Sequence, residues 1–507
     1  MNQLKRYVIL PAFGFQSPLL AQSAKLRAVG TTVKLSARAA MSASGGVAGT
    51  RMHVLHSTHE NGPKLVEMTE EAELNLRAEI PGIKVVPLSF FRKMRARYRV
   101  ERRLRATAAA ASAATTIHIL DKVTSEPVAG AQVVAFTDFE SREGAEGTSA
   151  KNGAVRLKLK PDTQIERLYI YGPAGYWGHA ARNFKLKDGT RYGLPPIDLQ
   201  DDNSLLGRLS KGLPVDAGKS VTVAVVDSGV ARNHPGLPNA TGGANLVLDE
   251  IRGNPAAKGD WGPAKKDGDH GSHVAGIIGA LPFGNVAIRG VAPGVELRSY
   301  RVFPNDGGDA TNYDIMNAID QAVLDGCDII NLSLGGGDED EAVRAAIGKA
   351  LDKGVLVVAA AGNDERQSVS YPAALPSCVA VSAMGVKGSY PKGSTEEFDV
   401  MKPFGDPDRE CFVAAFSNIG PPIDVIGPGV GIVATVPEKA YAVMSGTSMA
   451  CPALAGVAAY LLGSDPALLN AKKSDRARLL KEALFENCRK KGFGRDYEGF
   501  GYPRGKA

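Results

Sequence analysis

Three segments of this chain carry side chains suited to acyl transfer. Met444-Ser-Gly-Thr-Ser-Met-Ala-Cys-Pro452 sets Ser448 at the mouth of the apolar run Ala453–Leu462, which reads as a helix. A helix N-terminus offers unpaired N–H groups and partial positive charge, and both suit a developing oxyanion. Taken alone, a Ser or Thr before an apolar run is equally an N-cap. The β-branched run Val221–Val226 ends at Asp227-Ser228-Gly229. A carboxylate at that point would face the crevice beyond the carboxyl ends of a parallel sheet. His270-Gly-Ser-His-Val-Ala-Gly276 opens a second apolar helix. A serine hydroxyl attacks a carbonyl only when an imidazole takes its proton and a carboxylate orients that imidazole. Asn363 closes the apolar run Val355–Ala361 after Gly362, either as a turn residue or as a side-chain donor at a strand end.

Other chemistries fit poorly. His270 and His273 stand three apart without an acid between them, whereas zinc peptidases use i and i+4 flanking a glutamate. The five cysteines (Cys327, Cys378, Cys411, Cys451, Cys488) are scattered singly, so no C-x-x-C zinc pair exists and spacing implies no disulfide. The G-x-S-x-G elbow fails because Ala450 holds its last position.

The order Asp, His, Ser and the residues around each resemble the subtilisin-like serine peptidases. The matching pieces are Val225-Val-Asp-Ser-Gly229, His270–Gly276 and Ser445-Gly-Thr-Ser-Met-Ala450. Between them, in the family's order, stand Gly290-Val-Ala-Pro-Gly294, Ile330-Asn-Leu-Ser-Leu-Gly-Gly336, Val358-Ala-Ala-Ala-Gly-Asn363 and Phe416-Ser-Asn-Ile-Gly420. The resemblance implies a serine endopeptidase with Ser448 as nucleophile, His270 as general base and acid, and Asp227 orienting His270. His273 is then structural, and Ser228 a hydrogen-bonding neighbour. The Asn363 amide and the Ser448 N–H would form the oxyanion hole. Ser333, Leu334 and Gly335 would be an edge strand pairing with substrate, and Ala360, Ala361 and Gly362 the facing wall of the first specificity pocket. Ser370 stands where that pocket's floor often has glycine, and Asp364 and Glu365 form an acidic rim or merely solvated loop charge. A catalytically silent scaffold of the same fold is the alternative reading.

The resemblance also sets expectations about partners. Gly236 stands where many members have a calcium-binding acid, and Leu281-Pro-Phe-Gly-Asn285 is poor in oxygen ligands, so no calcium is expected there. No cofactor, metal, nucleic-acid partner or integral membrane segment is expected; the partners are protein or peptide substrates. Lys5-Arg6 before Tyr7–Leu10 mimics the start of a signal peptide, but Pro11 and Gln16 interrupt it. Family resemblance favours a secreted or periplasmic location, and the residues themselves leave it unknown.

These side chains need a scaffold, and 507 residues leave room for several domains. Short apolar strands alternate with helical runs at Tyr313–Leu324, Glu341–Lys353 and Ser448–Leu462, which argues for an α/β fold. We expect a mostly parallel sheet with helices on both faces over 205–490, followed by a tail at 491–507. Residues 116–200 hold β-rich runs between Gly, Pro and Asp, as in a small β-sandwich. Their Pro127–Ala131 and Lys151–Ala154 resemble carboxypeptidase-regulatory-like modules. Residues 51–91 follow the strand, helix, strand order of a subtilisin-type propeptide, which implies a small α+β intramolecular inhibitor. Residues 1–50 form an N-terminal segment open to disorder, and 92–115 a basic and Ala-rich linker. The first 110 residues are strongly basic while the whole chain is only +6. We read the Arg92–Arg105 run as solvated and open to proteolysis. Self-cleavage is expected near residues 196–215, just ahead of the Asp227 strand.

Overall fold

The β-branched Thr222–Asp227 strand is central to a nine-stranded sheet, and its alternating side chains enter two different cores. In the computed structural model, which describes residues 3–10, 33–34, 51–58, 62–80, 82–103, 114–200 and 204–504, the sheet runs from Ala240–Asn245 through Glu296–Arg301 and Thr222–Asp227. It continues through Ile329–Leu332 and Leu356–Ala360 to Val379–Val386. Val425–Pro428 and Cys411–Ala414 share the far side of that last strand, the first parallel and the second antiparallel, with Val400–Phe404 outermost. Val223 and Val225 pack with the helices Asp269–Gly279, Thr447–Ser464 and Lys473–Glu486. Ala224 and Val226 pack with Asn312–Leu324 and Glu341–Asp352 on the opposite face. Burial on both faces is why the strand is apolar throughout rather than alternating. The α/β architecture with helices on both sides follows directly.

The Thr447–Ser464 helix has 18 residues and is apolar enough by composition to cross a bilayer, yet most of it is buried against the sheet and its neighbouring helices. It is the one such helix among the described residues.

The chain outside this sheet departs from expectation in three places. Lys5–Leu10, expected as part of an unpatterned N-terminal segment, is an inner strand of a five-stranded sheet. It pairs antiparallel with Lys64–Met68 and Lys84–Pro87, and Arg51–Ser57 lies beyond. Tyr7 and Ile9 meet Ala72 and Leu76 of the helix Glu70–Glu79, while Val8 and Leu10 join the core under Asn312–Leu324. Four successive apolar residues buried alternately on two faces share the apolar pattern of a signal-peptide start. The rest of 1–50, apart from Val33–Lys34, lies outside the described residues.

The second departure is the expected tail. Tyr502–Pro503 pairs with Cys488–Arg489, and the Phe500 N–H donates to the Asp424 carbonyl. Gly499, Gly501 and the buried Tyr502 make this end part of the fold. Third, part of the region expected to be self-cleaved is folded into the core. Leu205–Ser210 is a helix whose Leu205, Leu206 and Leu209, with Leu213, are buried in the core.

Residues 115–194 form two sheets around one core. Ile117, Ile119, Val133, Ala135, Val155, Leu157, Leu168 and Ile170 fill the space between the sheets. Val134, Phe136 and Tyr169 point away from that core, toward Phe398 of the part built on the nine-stranded sheet.

Candidate active site and the segment lying in it

Asp227 ends its strand, and its carboxylate accepts from His270 Nδ1 at 2.8 and 2.9 Å. Both side chains are buried. His270 lies in the first turn of Asp269–Gly279, whose approach requires glycine: a Cβ at Gly271 would meet the Gly229 carbonyl at 2.5 Å. Ser228 Oγ accepts the Gly271 N–H at 2.9 Å and steadies the same junction. With Nδ1 engaged, His270 Nε2 is buried without a hydrogen-bond partner. An imidazole held in this way can accept a proton at Nε2.

His273, one turn on, has a different environment. Its Nε2 lies 3.0 Å from the Ile432 carbonyl and 3.1 Å from that of Ala442. Burial pulls its pKa down to about 3, so it is neutral and tied to the backbone.

Ser448 is the second residue of the helix Thr447–Ser464, and its N–H is one of those with no acceptor inside the helix. Its Oγ donates to the Ser333 carbonyl at 2.9 Å, not to His270. Ser333 Oγ donates back to the Ser448 carbonyl at 3.0 Å, and Asn331 donates to Ser333. Asn363 Oδ1 accepts from the Thr447 N–H and hydroxyl at 2.9 and 3.0 Å. That fixes the amide orientation and leaves Asn363 Nδ2 buried with no partner. An unpaired donor beside a helix N-terminus is what an oxyanion requires. Gly362, at φ +113, donates its N–H to Thr447 Oγ1 at 3.1 Å and so joins the Ala360–Ala361 strand end to the serine helix.

The cleft is not empty of polypeptide. The basic run that we expected to be a solvated linker threads it. Phe90–Lys93 is the middle strand of three, between Ala310–Thr311 and Leu334–Gly335, with Lys93 opposite Leu334 and Arg92 opposite Gly335. The Met94 N–H donates to the Ser333 carbonyl at 3.2 Å, and the Ser448 N–H donates to the Met94 carbonyl at 3.1 Å. Ala96 N–H then donates to the Ser445 carbonyl at 2.8 Å. Met94 is 2 % exposed, and its Cε abuts Gly335, where a Cβ would also lie 3.4 Å from Ser370 Cβ. A Cβ at Gly446 would collide with the Met94 carbonyl oxygen. Phe91 is buried beside Gly336.

Charges on the run find partners. Arg92 pairs with Asp364, so that acid is not merely solvated. Glu365 pairs with Arg142 from the two-sheet region, and Arg95 with Asp269 at 3.1 Å. Burial opposes ionisation of Asp269, but the Arg95 guanidinium prevails and holds its carboxyl below the usual range. Among the described residues, no three His, Cys, Asp or Glu side chains gather as a metal-binding group. Gly236, where an acid was absent, faces Tyr441 Oη and His234 Nδ1.

The sequence therefore brought Asp227, His270, Ser448, Asn363 and Ser333–Gly335 to one place, with Ala360–Gly362 alongside. It missed Met94 and its neighbours. The only local signal was the apolar pair Phe91 and Met94 inside a cationic run.

A parallel α/β sheet whose carboxyl edge gathers an aspartate, a histidine and a helix-borne serine defines the class. The chain belongs to the subtilase family (peptidase S8), which residues 218–502 match. It is 36 % identical over 263 residues to subtilisin NAT of Bacillus subtilis subsp. natto, covering 51 % of this chain and 60 % of the relative. The same identity over 263 residues to subtilisin of Bacillus pumilus covers 82 % of that relative. M-protease of Shouchella clausii is 35 % identical over 256 residues, 57 % of its length. The chain thus spans less than two thirds of several relatives that it matches.

Proposed function

We propose that this chain is a serine endopeptidase whose first substrate is its own Met94–Arg95 bond. The observation that carries the reading is the Met94 carbonyl on the Ser448 N–H, with Lys93 and Arg92 paired along Leu334–Gly335. That is how a substrate backbone lies when its carbonyl is about to become an oxyanion.

In this reading Ser448 Oγ turns from the Ser333 carbonyl toward His270 Nε2, which takes its proton as Oγ bonds to the Met94 carbonyl carbon. Asp227 keeps His270 in the tautomer that leaves Nε2 open and stabilises the imidazolium. The Ser448 N–H and Asn363 Nδ2 hold the oxyanion. His270 then protonates the Arg95 nitrogen as the bond breaks, leaving Met94 as an acyl ester on Ser448. Water, deprotonated by His270, hydrolyses that ester. Ala360, Ala361 and Gly362 wall the first pocket opposite Gly335, with Ser370 near its floor.

The sheet of residues 5–87 acts in this account as an intramolecular inhibitor, carried on the catalytic helices by Val8, Leu10 and the Lys84–Glu341 pair. The two-sheet region, with its resemblance to carboxypeptidase-regulatory-like modules, stays with the peptidase after the cut. The test is intact mass. Wild-type protein should yield a fragment ending at Met94 and a partner beginning at Arg95, and Ser448→Ala should remain whole. A new terminus within 196–215 instead would refute this choice of bond. Failure of wild-type protein to react with a fluorophosphonate would favour the silent scaffold.

A further inference from the structure

We propose that the two-sheet region forms the far half of the substrate cleft and selects peptides with a cation, then an aromatic residue, at the third and fourth positions beyond the scissile bond. The proposal rests on the peptidase reading above. It goes beyond that reading because this region lies outside the part of the chain matched to the family.

After Arg95 and Ala96 the chain leaves the serine helix and runs along the two-sheet region, with Phe398 and Asp399 of the catalytic region beside it. The Arg97 guanidinium lies 4.7 Å from the ring centroid of Tyr171. Its buried Nε has no hydrogen-bond partner, so an aromatic face rather than a carboxylate holds this cation. The Tyr98 N–H donates to Tyr171 Oη at 2.9 Å. The Tyr98 ring then enters a cage, 5.1 Å from the rings of both Phe139 and Tyr169, with the Arg142 guanidinium 4.9 Å away.

The cage walls are braced without Tyr98. Phe136 meets Phe139 edge-on at 5.3 Å, and Tyr169 meets Phe398 of the catalytic region edge-on at 5.0 Å. Arg142 also reaches Glu365, two residues past the oxyanion-hole candidate Asn363. The cage is therefore fixed at a set distance from Ser448, and one side chain, not a whole interface, decides what enters it. An aromatic residue gains edge-on and tilted ring contacts there that an aliphatic one cannot reproduce. Once the Met94–Arg95 bond is cut, residues 95–98 stay tethered to the two-sheet region through Arg102–Arg103, which pairs with Glu143–Gly144, and must swing out of these subsites before a peptide enters.

The test uses full-length protein incubated until its own cleavage is complete. Four quenched peptides are compared: Phe-Arg-Lys-Met-Arg-Ala-Arg-Tyr-Gly, the same with Ala for Tyr, the same with Ala for the Arg before Tyr, and a short reference ending two residues after Met. Loss of the Tyr ring should lower kcat/KM by about tenfold, and replacing the preceding Arg by Ala by about threefold. In the Phe139→Leu variant the Tyr and Ala peptides should converge while cleavage of the short reference is unchanged. Equal cleavage of the Tyr and Ala peptides by wild-type protein overturns the proposal, including the case where residues 95–98 never vacate the groove. No cleavage of the short reference would overturn the peptidase reading itself, so the two failures are distinguishable.

Discussion

Upstream of the Met94–Arg95 bond the chain is held by its backbone, and downstream by its side chains. Phe90–Met94 sits between two strand edges, and every residue type but proline can make those ladder bonds. Arg95–Tyr98 has a single strand-like contact, at Ala96, and is otherwise fixed by an ion pair, a stacked guanidinium and an aromatic cage. The first mode supplies affinity with little reading of sequence; the second reads sequence with little backbone affinity. The upstream half is built from the family's sheet, and the downstream half from a region that the family match does not include. Within one cleft, generality and selectivity have separate structural sources.

Removing Ser448 erases the comparison. Ser448→Ala should slow cleavage of Met94–Arg95 by at least about 10⁴-fold, leaving one full-length band on a denaturing gel. Asn363→Ala acts on both halves equally. It should cost on the order of 10²–10³ in rate, a magnitude set by subtilisin itself, with no change in where the chain is cut. Met94→Glu tests the upstream half alone. A carboxylate forced into a site where Met94 is 2 % exposed should slow self-cleavage by on the order of 10²-fold, measured as band conversion over time. Glu365→Gln touches the downstream half most lightly, because its pair with Arg142 is partly exposed. A two- to threefold fall in cleavage of the Tyr-bearing peptide, about the size of a surface ion pair, is expected, with the short reference unaffected. An equal loss on both peptides would mean that the two halves are not separable.

Much of the catalytic half was legible because its residues are locally constrained. Asp227 must follow a buried parallel strand, and Ser448 must open a helix behind a glycine, so residue type and spacing alone bring them together. What the spacing could not convey is rotamer: Ser448 Oγ rests on Ser333, and nothing in Gly-Thr-Ser-Met-Ala foretells that. The segment in the cleft was illegible for a different reason. Arg92–Arg105 has the composition of a solvated run, and its pairing with Asp364 and Asp269 depends on residues far along the chain. Lys5–Leu10 was ambiguous for another reason, since a strand buried on both faces and a signal-peptide core share one apolar pattern. The tail at 491–507 offered no periodic pattern, whereas Gly499 lets the chain approach the Asp424 carbonyl and Gly501 lets it approach Arg489, where Tyr502 pairs.

The position of Phe90–Lys93 as a middle strand has a kinetic meaning. Under the proposed self-cleavage, the bond of the whole chain meets Ser448 at an effective concentration set by the tether, so its scission is first order and indifferent to dilution. After scission the sheet of residues 5–87 is a separate molecule that can rebind, and its hold on the cleft obeys mass action. One chemical event thus exchanges a clock for a concentration gauge: the cut comes on schedule in any volume, but the cleft opens only where the severed fragment is dilute or destroyed.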